Sequence, residues 1–92
     1  MIVSFKDEAA YELLTKRKHR DYANILSTVL RKLDRLDAVH SLEDLKEPPG
    51  NRLEALQGDR IGQHSIRINE QYRLCFVWKS DGAHEVEITD YH

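Results

Sequence analysis

Pro48-Pro49-Gly50 stands at the middle of a 92-residue chain and divides it into halves of different hydrophobic period. Proline lacks the N–H a helix needs and its ring clashes with the preceding turn, so no helix crosses this point. Before it, Ala10, Leu13 and Leu14 recur at helical spacing, and Ile25, Leu26, Val29, Leu30, Leu33 and Leu36 form one stripe. After it the period falls to two. His64, Ile66 and Ile68 alternate with Gln63, Ser65 and Arg67, and Tyr72, Leu74, Phe76 and Trp78 alternate with Arg73, Cys75 and Val77.

These patterns predict an order of elements. Ile2 to Phe5 reads as a short strand, residues 10–14 as a short helix, and Asp21 as the N-cap of a long helix over about 22 to 39. Ser41 with Asp44 resembles a capping box on a short turn. Strands are expected over 52–56, 63–68 and 72–78, and Ser80-Asp81-Gly82 is a hairpin turn into a last strand through Val86 and Ile88. The fold class is therefore α+β: β-α-α, then an antiparallel meander with the helices packed on one face of the sheet. With 40% apolar and 33% charged residues, the chain supports one packed domain over residues 1–92.

Several classes of protein are disfavoured. No apolar run approaches the roughly 20 residues that cross a bilayer. The start lacks a basic segment followed by an apolar one, so a cytoplasmic location is expected. Cys75 is a lone cysteine, without an internal disulfide or a CxxC partner, and reads as inert packing. The net charge of -2 disfavours a protein that holds free nucleic acid by bulk electrostatics. That average hides a split. Residues 16–35 carry seven basic side chains (Lys16, Arg17, Lys18, Arg20, Arg31, Lys32, Arg35) against two acidic ones, a local +5, and the other 72 residues balance at -7. On the long helix Arg31, Lys32 and Arg35 fall off the apolar stripe, where they face water or an acidic partner. On the sheet, the face opposite the helices presents Arg67 and Arg73 and is expected to be cationic.

The stretches Pro48-Pro49-Gly50-Asn51-Arg52-Leu53-Glu54, Leu56-x-Gly58-Asp59-Arg60-x-Gly62, Ser65-Ile66-x-Ile68-Asn69, Tyr72-Arg73-Leu74-Cys75-Phe76 and Glu87-Ile88-x-Asp90-Tyr91-His92 resemble the HigB branch of the RelE/ParE toxin superfamily, its GraT-like members above all. The resemblance is firm over residues 48–92 and weaker through the helices. It implies the RelE/ParE-like fold and the toxin of a type II toxin-antitoxin pair. Such a toxin cuts mRNA in the ribosomal A site without a metal or other cofactor. The implied partners are a HigA-like helix-turn-helix antitoxin, the 70S ribosome with its mRNA, and operator DNA only indirectly through the antitoxin, with no membrane.

The residues can be matched to that chemistry. RNA cleavage through the 2'-OH needs a base for its proton, a cation for the crowded phosphorane and an acid for the leaving 5' oxygen. Arg73 suits the phosphate, being permanently charged and fork-shaped; its bland alternative is an ion pair with an acidic strand neighbour. His92 suits the general acid, Tyr91 a stacking or hydrogen-bonding role, and Asp90 the orientation of His92 or an arginine. Well-studied family members carry a His and a Lys where this chain has Glu54 and Gln57. Glu54 is then the candidate base, Gln57 costs one phosphate cation, and slower cleavage is the expectation. Asn51, Arg52, Arg60 and Arg67 join Gln57 as candidate RNA contacts, and the basic segment 16–35 as the ribosome-docking surface. His64, in line with Ile66 and Ile68, reads as a satisfied core histidine, and no histidine has metal-ligand spacing. The alternative is a toxin of the same fold that acts by binding, on gyrase or on ribosome assembly.

Overall fold

The computed structural model describes residues 1–90. Tyr91 and His92, two of the expected catalytic residues, lie outside the described residues.

Helix α1 spans Glu8–Lys16 and buries Ala10 and Leu13. Asp7 is its N-cap: Oδ1 accepts from the Ala10 N–H at 2.8 Å, satisfying one of the donors a helix start leaves unpaired. Arg17 ends the helix in the left-handed region (φ 63°), and its N–H donates to the Leu13 carbonyl at 3.1 Å. The long helix is shorter than its periodicity predicts. Residues Arg20–Ile25 form a 3₁₀ segment with a non-helical Tyr22, and α2 proper runs Leu26–Ala38. Asp21 is not the cap; His19 is, its Nδ1 accepting from the Asp21 N–H at 3.1 Å. The kink places the Tyr22 ring edge-on to Tyr72 at 5.4 Å, a contact to the sheet that a regular helix does not require. The Ser41 side chain caps a 3₁₀ turn over Leu42–Lys46.

Four strands follow: β1 (Glu54–Ala55), β2 (His64–Arg67), β3 (Tyr72–Lys79) and β4 (Gly82–Asp90), antiparallel and in the order β1-β2-β3-β4. β1 is far shorter than the expected 52–56. Arg52 ends the 3₁₀ turn Pro49–Asn51 with φ 47°, which turns its backbone out of the ladder. Between Cys75 and Val77 the β3–β4 register slips, so that Glu85 and Val86 both face Phe76, and Glu85 takes φ 52° in this bulge. The expected first strand is present only as two parallel bridges, Ile2 to Ala83 and Phe5 to Val86, laid along β4. Asp7 reinforces this seam, its Oδ2 accepting from the Ile88 N–H at 3.1 Å.

The helices cover one sheet face, as the alternation requires. Leu13, Val29, Leu33 and Leu36 pack with Ile66, Leu74, Phe76 and Val86 in one buried cluster, closed below by Leu45 from the 3₁₀ turn. The other face carries Ser65, Cys75 and Glu87 in one cross-strand row and Arg67, Arg73 and Thr89 in the next.

Candidate active site on the outer sheet face

Arg73 sits at the centre of that face and is only 8% exposed. Its Nε donates to Ser65 Oγ at 2.7 Å, and Nη2 donates to the Arg52 carbonyl at 2.9 Å. The left-handed turn at Arg52 thereby acquires a purpose: it aims a carbonyl at the guanidinium. Glu54 Oε2 lies 3.3 Å from Nη2 on a side chain that is 56% exposed. The expectation of an open cationic face is thus corrected. Two arginines lie directly opposite each other, Arg67 and Arg73, an arrangement that costs energy unless one is neutralised. Glu54 provides that neutralisation to Arg73 from β1, reaching across β2. Sequence reasoning raised the acidic neighbour as an alternative to a phosphate role, and it missed Ser65, which reads in the sequence as a small polar residue on an open face.

Arg60 and Glu87 form a second charged pair on the same face. Arg60 Nη1 donates to Glu87 Oε1 at 2.7 Å and to Gln63 Oε1 at 3.0 Å. The hydrogen bond to Glu87 is the main reason the arginine is held above its ordinary pKa, partial burial opposing it. Glu87 lies opposite Cys75, two residues along β3 from Arg73, or about 7 Å. The sheet face thus alternates in sign. Glu87 was not singled out from the sequence; its signal was the missing counter-charge for Arg60. Cys75 is buried and free, as expected.

Asn51 and Lys32 are not surface contacts. Asn51 is fully buried, its Nδ2 donating to the Leu45 and Glu47 carbonyls at 3.2 and 3.1 Å. Its Oδ1 accepts from Lys32 Nζ, which is buried with it. Burial, reinforced by Arg31 and Arg67, pulls the Lys32 ammonium below the usual lysine range. The helical wheel puts Lys32 off the apolar stripe, yet the loop at Pro48–Asn51 folds over α2 and encloses it. Asn51 is therefore the clasp of that loop, one residue before the carbonyl that holds Arg73.

A family described as the RelE-like toxin of the type II toxin-antitoxin system HigB matches residues 3–92. The chain belongs to the HigB-like toxin family. It is 45% identical over 82 residues to "Toxin HigB-1" of Vibrio cholerae, covering 85% of this chain and 84% of that one. Its fold is similar to the toxin structures of a YoeB-YefM complex from Staphylococcus aureus (TM-score 0.63, 18% identity, 100% and 98% of the two chains covered) and of a YoeB/ParE toxin from Agrobacterium tumefaciens (TM-score 0.51, 17% identity, 99% and 98% covered). The α+β arrangement read from the sequence is the one these RelE-superfamily structures share.

In this HigB-like toxin the remaining expected residues are distributed as follows. Asp90 Oδ2 accepts from Gln71 Nε2 at 3.1 Å, and Asp90 faces Tyr72 in the register, one residue from Arg73. Gln57 is exposed at the turn before Arg60, and Arg67 is half-buried beside Arg73. Arg52 contributes its carbonyl, not its side chain, to the Arg73 contact. His64 stacks on Phe76 with centroids 6.4 Å apart, but its buried Nδ1 has no hydrogen-bond partner among the described residues, so it is not the satisfied histidine expected. Among the described residues, no three His, Cys, Asp or Glu side chains are grouped as metal ligands, and no helix is long and apolar enough to cross a membrane.

The basic segment is not one continuous patch. Lys32 is buried, Arg17 is held by Asp34 in a two-pronged pair at 2.8 and 2.7 Å, and Arg35 Nη2 donates to the Asp44 and Glu47 carbonyls. Arg17 and Arg35 are exposed but held; Lys16, Lys18, Arg20 and Arg31 are exposed and make no side-chain hydrogen bond among the described residues.

Proposed function

We propose that this HigB-like toxin is a ribosome-dependent mRNA endonuclease, neutralised by a HigA-like helix-turn-helix antitoxin through which alone it meets operator DNA. The observation that carries the reading is the guanidinium of Arg73, fixed by Ser65 and the Arg52 carbonyl beside the half-exposed carboxylate of Glu54. A rigid fork next to a general base is what cleavage through the 2'-OH requires, because little of the geometry then has to be organised during reaction.

The steps balance without a cofactor. A seated phosphate competes with Glu54 for Arg73; the released carboxylate takes the 2'-OH proton as the 2' oxygen bonds to phosphorus. The bond to the 5' oxygen breaks and that oxygen receives a proton from His92, leaving a 2',3'-cyclic phosphate and a 5'-OH. Asp90 orients the tail, Tyr91 stacks on a base, and Arg60, Arg67 and Gln57 flank the RNA. The ribosome presents the mRNA, so the low net charge of the toxin is no handicap, and Arg31 is the cation assigned to ribosomal RNA. Competition from Glu54 and the absence of a lysine at Gln57 make the cleavage slow.

The Glu54–Arg73 pair also favours a second reading, in which the site is an already neutralised face used for binding. Mapping mRNA 5' ends by primer extension after brief induction decides between them, with purified 70S ribosomes and mRNA in parallel. Codon-phased cuts that need ribosomes and vanish in Arg73→Ala and on removal of His92 support the endonuclease. Growth arrest with no new ends supports binding alone.

A further inference from the structure

Three of the cations left exposed in the basic segment, Lys16, Lys18 and Arg20, surround one groove. Arg17 turns left-handed at the end of α1, and the chain doubles back through Lys18 and His19 into the 3₁₀ segment before α2. The two helix ends are thereby held apart around a cavity of about 460 Å³ whose lining includes Ala23 and Leu26. This lies within the range of about 300–1,000 Å³ typical of clefts that bind a ligand.

The charges of the groove are available. Glu12, its one acidic lining residue, is 3.7 Å from His19 Nε2. Lys16 and Lys18 make no ion pair among the described residues. Arg20 is 95% exposed and 3.8 Å from Asp21, itself 68% exposed, a contact that binds neither firmly. A nucleic acid would engage these cations and leave the apolar lining empty. A peptide carrying carboxylates around an apolar side chain satisfies both. Because the residues outside 16–35 balance at -7, an acidic partner is repelled by most of the toxin and attracted here, which fixes where it lands.

We propose that this groove receives an acidic amphipathic segment of the antitoxin, an apolar side chain seated against Ala23 and Leu26 and flanking carboxylates on Lys16, Lys18 and Arg20. The inference rests on the toxin being one half of a toxin-antitoxin pair, and not on the nuclease chemistry. The test compares the full-length toxin with a Lys16→Glu, Lys18→Glu, Arg20→Glu triple variant. The probe is the antitoxin encoded beside its gene, with growth arrest, rescue by co-expression and complex affinity measured together. All three side chains are exposed, so circular dichroism and Tm should not change. The variant is expected to bind antitoxin about 100-fold more weakly. Ala23→Trp, which fills the groove and keeps every charge, is expected to arrest growth as the wild type does, to weaken the complex and to escape rescue. Unaltered antitoxin affinity in both variants overturns the proposal. So does loss of arrest with antitoxin binding intact, which would make the groove a docking site for ribosomal RNA. A wild type that arrests growth without cutting mRNA sinks the nuclease reading and leaves the affinity measurement to decide this one.

Discussion

Ser65 shows how much one small side chain can govern. Its hydroxyl is wholly buried and is the acceptor for Arg73 Nε, so Ser65→Ala removes that partner from a charged donor that is only 8% exposed. The expected cost is about 1–3 kcal/mol in a urea melt, and the proposed ribosome-dependent cleavage should fall at least as steeply because the fork is no longer aimed. Arg73→Lys is expected not to restore cleavage, since an ammonium cannot span Ser65 Oγ and the Arg52 carbonyl together. Asn51→Ala acts one step further out. It strips the buried Lys32 ammonium of its acceptor, and we expect a loss of about 2 kcal/mol in the same melt. These roles were only half visible in the sequence. The type of residue at Arg73 marks it as a candidate phosphate cation, but Asn51 and Lys32 are 19 positions apart and nothing local marks them as partners. Polar side chains were assigned to the surface because hydropathy alone cannot distinguish a solvated amide from one that caps a buried loop.

Among the elements, the helices and the three-strand meander were legible because each has a clear period, whereas the two ends of the sheet were not. β1 shrank because Arg52 leaves the ladder to serve Arg73, and the first residues became parallel bridges because β4 offers an edge that sequence periodicity does not reveal. Gly82 makes the second arrangement possible. It has φ 128°, and a Cβ there would stand 2.1 Å from the Met1 carbonyl oxygen, whose acceptor role for the Ala83 N–H ties the start of the chain to β4. Gly82→Ala is therefore expected to destabilise by about 1–3 kcal/mol, and hydrogen exchange should show the Val3 and Lys6 amides losing protection first. The helix pair has its own strap in Arg17 and Asp34. Arg17 holds the Asp34 carboxyl below its ordinary value of 3.8, so its contribution is present above that value and lost as pH falls through the depressed one. Asp34→Asn should flatten the acid limb of the stability profile there and leave stability near neutrality little changed, the pair being solvent-exposed.

At the scale of the whole molecule, charge is segregated more than it is accumulated. A net charge of -2 should leave the toxin with no measurable affinity for free mRNA at physiological salt, which fluorescence anisotropy can check, while its basic segment still attracts an acidic partner at low salt. The seam between the start of the chain and β4 sets the order in which such a molecule can be completed. Ser4 Oγ accepts from the Glu85 amide and Asp7 from the Ile88 amide, contacts that each close a loop of 81 residues. The first cannot form until position 85 has been synthesised and the second until position 88, so residues 4–7 wait for the strand that shields them. Closing the sheet edge is consequently a late step in folding, with α1 and α2 able to associate before it.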